Sequence, residues 1–232
     1  MDRAGFRRGS ALLRRHMEDD QRPTEFTLLG RTWDLLDDVF SPTYTPVTEL
    51  FSSWLPYPRG GTFLEMGCGA GVTSVVAAQS GCRAVTALDI SPAAVRNTRR
   101  NVERHGVGDR VRVLRSDMFD ALEGNEKFDV IFWNSNFAEP PTDFVNSTDL
   151  HHAFFDPSYD AHRRFVALAP DRLTEGGRVL LGFASIGNST LLTEICAEAG
   201  LRVDVVRSEA NHRAPATAPE FQLLELTRHH ER

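Results

Sequence analysis

The sequence predicts an α/β protein: a mostly parallel seven-stranded sheet covered on both faces, an antiparallel C-terminal edge hairpin and an N-terminal helical cap. Three observations carry this expectation. From residue 62 onward, short and nearly continuous apolar runs alternate with helical patterns, as they do in parallel strands buried on both faces. Between the first run and the first of these helices lies Glu65-Met66-Gly67-Cys68-Gly69-Ala70-Gly71, a turn that presents helix N-terminal N–H groups to a ligand. The last two runs, 201–206 and 221–226, have no helix between them, only 208–219, so they pair antiparallel.

In chain order, residues 1–40 read as helices. A basic segment ends near Asp20, and 26–40 carries Leu28, Leu29, Trp33, Leu36 and Phe40 at helical spacing. Pro42 and Pro46 break the pattern, and Thr45-Pro46-Val47-Thr48 opens another helix through Leu55. The Pro- and Gly-rich stretch 56–61 is a linker, which divides the chain into an N-terminal extension (1–58) and a ligand-binding catalytic domain (59–232). Strands are expected at 62–66, 84–89, 111–114, 128–133, 178–183, 201–206 and 221–226, and helices at 72–80, 92–105, about 158–173 and 188–199.

Length suits one α/β domain with an extension. The net charge is −6, and the arginine pairs at 7–8, 14–15, 99–100 and 163–164 are scattered, which disfavours a nucleic-acid partner. Cys68, Cys82 and Cys196 are odd in number and lack metal-ligand spacing, so a reducing cytosol and no metal are expected. No run approaches a transmembrane span and residues 1–20 are too polar for a signal peptide. These features predict a cytoplasmic monomer or homodimer without a membrane partner.

The third glycine of the loop arrives one residue earlier than in the dinucleotide fingerprint Gly-x-Gly-x-x-Gly, with Val72 in that position. With Glu65 ahead of it, the loop resembles motif I of the class I S-adenosylmethionine (SAM) methyltransferases. The resemblance implies a Rossmann-like fold, SAM as cofactor and S-adenosylhomocysteine as product. Asp89 ends the second strand, 22 residues after Gly67, where an acid can accept hydrogen bonds from ribose hydroxyls. Asp89-Ile90-Ser91-Pro92 also reads as a helix start, with Ser91 as N-cap and Pro92 at N1, and both roles can coexist. The resemblance puts Asp117 on the adenine amino group with Met118 against the ring; an exposed loop acid is the plainer alternative. Expected cofactor contacts are thus Thr48, Glu65, Gly67, Gly69, Gly71, Asp89, Ile90, Asp117, Met118 and Asn134, converging beyond the carboxyl ends of the strands.

The fourth strand runs into Asn134-Ser135-Asn136-Phe137, which resembles the Asn-Pro-Pro-Tyr/Phe motif of amino-group and amide N-methyltransferases. The layout is most similar to the protein-glutamine methyltransferases that modify release factors: 45–50 resembles the threonine-glutamate segment before their catalytic domain, and 159–181 resembles their fourth helix and the glycine turn after it. The resemblance covers motifs within 41–227. Ser135 and Asn136 replace both prolines, which predicts a looser and more polar loop. Asn134 still offers a carbonyl oxygen to an attacking N–H, favouring a nitrogen nucleophile; a strand-end turn residue is the alternative.

The long connection from 133 to 157 reads as functional or disordered. As a lid, Phe154 and Phe155 exclude water, Tyr159 faces the sulfonium as a catalytic aromatic, and Asp156 or His151 accepts a proton. Ser135, Asn136, Phe137 and Ser185 would surround the substrate, although each of these lid and substrate residues also suits a surface, core or capping role. No Gly-x-Ser-x-Gly elbow supports hydrolase chemistry. Two reactions follow. One is methyl transfer to a nitrogen of a small-molecule substrate, in secondary metabolism. The other is a SAM lyase-cyclase reaction, in which SAM's own amine attacks its Cγ to give azetidine-2-carboxylate and methylthioadenosine. A non-catalytic SAM-binding subunit is a third reading.

Overall fold

The computed structural model describes residues 4–210 and 219–229. The N-terminal part comprises α1 (Ala4–Glu18), β1 (Glu25–Leu28), β2 (Arg31–Asp34) and α2 (Val47–Trp54). Strands and helices then alternate: β3 (Thr62–Met66), α3 (Val72–Gln79), β4 (Ala84–Asp89), α4 (Pro92–Arg104), β5 (Val111–Arg115), β6 (Phe128–Asn134), α5 (Asp160–Leu168), β7 (Leu173–Ala184), α6 (Ser189–Glu198), β8 (Leu201–Ala210) and β9 (Glu220–Arg228). Among the described residues no helix is long and apolar enough to cross a membrane.

The main sheet has the order β5-β4-β3-β6-β7-β9-β8. Its first five strands pair in parallel, and β9 enters antiparallel between β7 and β8. The antiparallel edge is therefore as expected, while most of the connection at 208–219 lies outside the described residues. Continuous apolar strands divide their side chains between two cores. Phe63, Val130, Phe132 and Leu180 face one, and Leu64, Ile131, Trp133 and Leu181 face the other. Chain order reverses between β3 and β6, and a crevice forms outside their carboxyl ends.

The expected helix over 26–40 is instead a β-hairpin. Leu29 and Gly30 take φ of 52° and 68°, the left-handed pair of a tight two-residue turn, and a helix cannot pass through them. Phe26 lies opposite Trp33 across the hairpin, with the rings stacked at 6.3 Å. Helical spacing of the leucines was misleading because the hairpin's backbone partners come from another element. Asn97 and Asn101, one turn apart on α4 and fully buried, act as substitutes for a neighbouring strand. Asn101 Oδ1 accepts Asp34 N–H at 2.8 Å, and its Nδ2 donates to the carbonyls of Asp34 and Ala70. Asn97 Oδ1 accepts Leu36 N–H at 2.7 Å and its Nδ2 donates to Asp34 O. Residues on both sides of the 56–61 linker share one core: Trp33, Val47 and Phe51 pack with Phe63 and Phe132.

The connection from 133 to 157 is ordered. Ala138 bridges to Phe155, short 3₁₀ turns occupy Asp149–Ala153 and Pro157–Tyr159, and Ala138, Phe154 and Phe155 form a third small core with Phe6, Leu12 and Phe40.

Asn101→Ala strands several buried backbone groups at once. At about 1–3 kcal/mol for each group left without a partner, urea unfolding should show stability falling by at least about 2 kcal/mol. A change indistinguishable from zero would remove Asn101 as the hairpin's anchor.

Candidate active site

The crevice floor is the β3–α3 turn. Gly67, Gly69 and Gly71 have φ of 66°, 54° and 82°, a conformation that costs glycine nothing. The three do different work. A Cβ on Gly69 would meet nothing within 4 Å, so its missing side chain leaves space in the crevice itself. A Cβ on Gly71 would sit 2.8 Å from Thr98 Cγ2, so that glycine lets α3 and α4 approach and does not line the crevice. Cys68 is buried, with its N–H on Leu88 O and its sulfur accepting from Thr98 Oγ1 at 3.2 Å.

Asp89 ends β4 on the crevice wall. Its Oδ2 accepts Gly69 N–H and its Oδ1 accepts Ser91 N–H, each at 2.9 Å. Ser91 caps α4 through Ala94 N–H, so the capping role and the crevice position coexist. Burial raises the Asp89 pKa, while the two backbone donors favour the charged form. Glu65 lies deeper, 3% exposed, accepting Ser74 Oγ–H at 2.5 Å. Burial pushes its carboxyl up to about 8, so Glu65 is largely protonated at neutral pH.

Thr48, Ile90, Asp117 and Met118 also line the crevice. Met118 has φ of 46°, and Ser116 Oγ donates to its carbonyl at 2.7 Å while accepting Ala121 N–H. Arg164 Nη1 holds both Asp117 oxygens at 2.9 and 3.0 Å. Each oxygen keeps a lone pair for a further donor.

At the end of β6 the motif is cross-tied rather than loose. Ser135 Oγ donates to Gly182 O at 2.8 Å on β7. Asn136 Nδ2 bridges the carbonyls of His152 and Phe155 at 2.8 and 2.9 Å. These bonds constrain the loop that prolines would otherwise stiffen. Asn134, Ser135, Asn136 and Phe137 all line the crevice, and among the described residues only the Asn134 side chain of the three polar ones makes no hydrogen bond within the chain.

Other expected residues are elsewhere. Tyr159 is 0% exposed, its ring stacked on His162 at 4.3 Å, its hydroxyl donating to Phe137 O at 2.6 Å and accepting Asn188 N–H at 2.8 Å. It braces the motif from behind and does not reach the crevice. The residue before α5 takes φ of 52° there, and this turns the ring inward. Ser185 accepts Glu220 N–H, joining β7 to β9 away from the crevice. Phe154 lines the crevice against Phe40, ring centroids 5.4 Å apart, whereas Phe155 is buried beneath α1. Asp156 lines the wall with its carboxylate committed to Ala161 N–H, His162 N–H and His162 Nδ1, so it is an N-terminal cap of α5 rather than a free base. His151 Nδ1 is used by the Thr148 N–H and hydroxyl, again as a local cap.

Sequence reasoning missed Arg8, Leu12, Asp38, Phe40, Trp133, His152 and Arg164, all crevice-lining. The strand-end position of Trp133 was a usable signal for it. Nothing in the local sequence linked the α1 residues to the site. The crevice encloses about 590 Å³, in the range of cofactor sites. An open Gly69, an acid held at the wall by loop N–H groups and an apolar rim at Ile90 and Met118 fit the ribose, chain and ring of SAM.

The pattern of the methyltransferase small domain family matches residues 35–195. The chain is 27% identical over 189 residues to the tRNA1(Val) (adenine(37)-N6)-methyltransferase of Shewanella loihica, spanning 77% of this chain and 73% of that enzyme. It is 30% identical over 189 residues to the ribosomal protein uL3 glutamine methyltransferase of Francisella tularensis, covering 73% of this chain but 56% of that protein. Among solved structures, the T. thermophilus 16S rRNA N2 methyltransferase in complex with AdoMet and guanosine superposes with a TM-score of 0.63 at 22% identity, over 90% of this chain and half of that one.

Glu65 sets a pH dependence. Its folded pKa of about 8 is above the ordinary 4.5, so its contribution to stability is complete below pH 4.5 and is lost as pH rises through 8. Between pH 5 and 9 the melting temperature of Glu65→Gln should fall less than that of the parent; equal slopes would refute the buried, neutral carboxyl. For cofactor binding, Asp89→Ala should weaken S-adenosylhomocysteine by at least roughly tenfold in calorimetry. Unchanged affinity would remove Asp89 from the site.

Proposed function

This chain belongs to the methyltransferase small domain family, and from that footing we propose that it is a SAM-dependent N-methyltransferase whose acceptor nitrogen is carried by a macromolecule. The relatives modify tRNA and ribosomal protein, which overturns the expectation of a small-molecule substrate in secondary metabolism without a nucleic-acid partner. That expectation leaned on a net charge of −6, but a whole-chain sum does not say where the charges stand, and both Arg8 and Arg164 lie at the crevice. The relatives are methyltransferases, so the SAM lyase-cyclase alternative is displaced with it.

The carrying observation is Asn134, which among the described residues is the polar motif side chain left without a hydrogen bond at the crevice while Ser135 and Asn136 are tied down. SAM supplies an electrophilic methyl on a sulfonium. The chain's own part is positioning. Gly67 and Gly69 let the loop backbone approach the bound molecule, and Asp89 offers acceptor lone pairs to vicinal hydroxyls. The Asn134 carboxamide oxygen accepts one N–H of a planar nitrogen and so aims its lone pair into the crevice. Trp133 closes the floor, with Nε1 3.4 Å from where a Gly67 Cβ would stand. The three buried thiols suit a cytoplasmic setting.

The test pairs purified protein and labelled SAM with, separately, deproteinised tRNA, ribosomal RNA and ribosomal protein, alongside SAM alone. S-adenosylhomocysteine should form with one of these fractions and not without an acceptor. Asn134→Ala should lower that rate about 100-fold with S-adenosylhomocysteine affinity retained. Methylthioadenosine released from SAM alone would sink the proposal.

A further inference from the structure

Helix α1 lies across the crevice that the rest of the chain builds. Its inner face carries Gly5, Gly9, Leu12 and His16, spaced by four, three and four residues along one stripe. Gly5 and Gly9 are contact points. A Cβ on Gly5 would stand 2.8 Å from Ile186 O, and one on Gly9 2.8 Å from Phe155 Cε1. Between them Phe6 packs on Phe144 and Phe155 at 5.7 and 5.4 Å. Asn136 Nδ2 bonds Phe155 O and Ala138 bridges to Phe155, so the helix sits over the segment that continues the Asn134 motif, the acceptor side of the crevice.

The far end of α1 is clamped. Arg22 bonds the carbonyls of Leu36, Asp37 and Val39, and its Nη1 meets His16 Nε2 at 3.1 Å. Arg15 lies over the Tyr44 ring at 4.7 Å. Arg8, Gly9 and Leu12 line the crevice directly. Arg8 is exposed at the rim and has no carboxylate partner among the described residues.

We propose that α1 is the specificity-determining roof of the acceptor chamber, seated through Gly5 and Gly9, so that a methyl acceptor reaches Asn134 only as a single projecting group passing Arg8. This rests on the reading of the crevice as a methyltransferase site. A side chain amide or an extruded base meets the requirement, whereas a continuous macromolecular surface cannot descend to Asn134 past a seated helix.

The test uses a thiol as a probe of the roof. Cys82 and Cys196 are buried away from the crevice but Cys68 lines it, so labelling with a thiol reagent such as dithionitrobenzoate is read as the excess of each Asn134→Cys variant over the same chain with Asn134 intact. Labelling of Asn134→Cys should be slow. Adding Gly9→Leu, which lifts the helix from Phe155, should speed it roughly tenfold. Arg22→Ala, which releases the clamp without adding bulk, should do the same, and either double variant should bind S-adenosylhomocysteine as the single variant does. Equal labelling rates in the single and both double variants would overturn the roof. Failure of the parent chain to bind S-adenosylhomocysteine would instead overturn the reading of the crevice beneath it.

Discussion

One backbone constraint underlies the site: between Met66 and Val72 the chain must reverse from strand to helix through three left-handed glycines, Gly67, Gly69 and Gly71. Glycine makes that path accessible, but the path is held by its partners. Cys68 N–H is bound to Leu88 O at the end of β4, Gly69 N–H to the Asp89 carboxylate, and Gly71 rests on Thr98 of α4. The loop, the acid at the end of β4 and α4 are therefore tied together. Asp89 is oriented by the same N–H that the turn exposes, and the turn is fixed by the acid it presents.

A second theme is the use of asparagine where regular structure runs out. Asn97 and Asn101 complete the hydrogen bonds of β2 and its exit from the flank of a helix. Asn136 joins the motif to the 149–155 segment, and Asn188 caps α6 while its amide reaches Glu139. A carboxamide donates and accepts at once, so it can replace an absent strand neighbour without bringing a charge into a buried place. Around the candidate acceptor position this leaves a cross-tied frame in which, among the described residues, the Asn134 carboxamide makes no hydrogen bond within the chain.

Much of the fold was legible. Alternating apolar runs and helical patterns, the early third glycine, Asp89 at its interval and the helix-free pair of C-terminal strands follow from period, turn chemistry and strand burial, all of them local properties. The site was legible where it consists of strand ends: Gly67, Gly69, Asp89, Asp117 and Asn134 all reach the crevice. It was not legible where it depends on side-chain direction. Tyr159 and Ser185 stand beside strand or helix ends yet turn away, because the left-handed φ at Tyr159 and the pairing of Ser185 with Glu220 are set by contacts distant in sequence.

By itself the sequence determined the sheet, the glycine turn and the floor of the crevice, since these are read from residue periodicity and from backbone positions that only glycine occupies readily. Tertiary structure alone decided that 25–34 is a hairpin, that Ser135 and Asn136 are splints, and that α1 lies against the crevice. Those outcomes rest on partners tens of residues away, and a hydrogen bond or a glycine contact of that range leaves no periodic mark in either of the segments it joins.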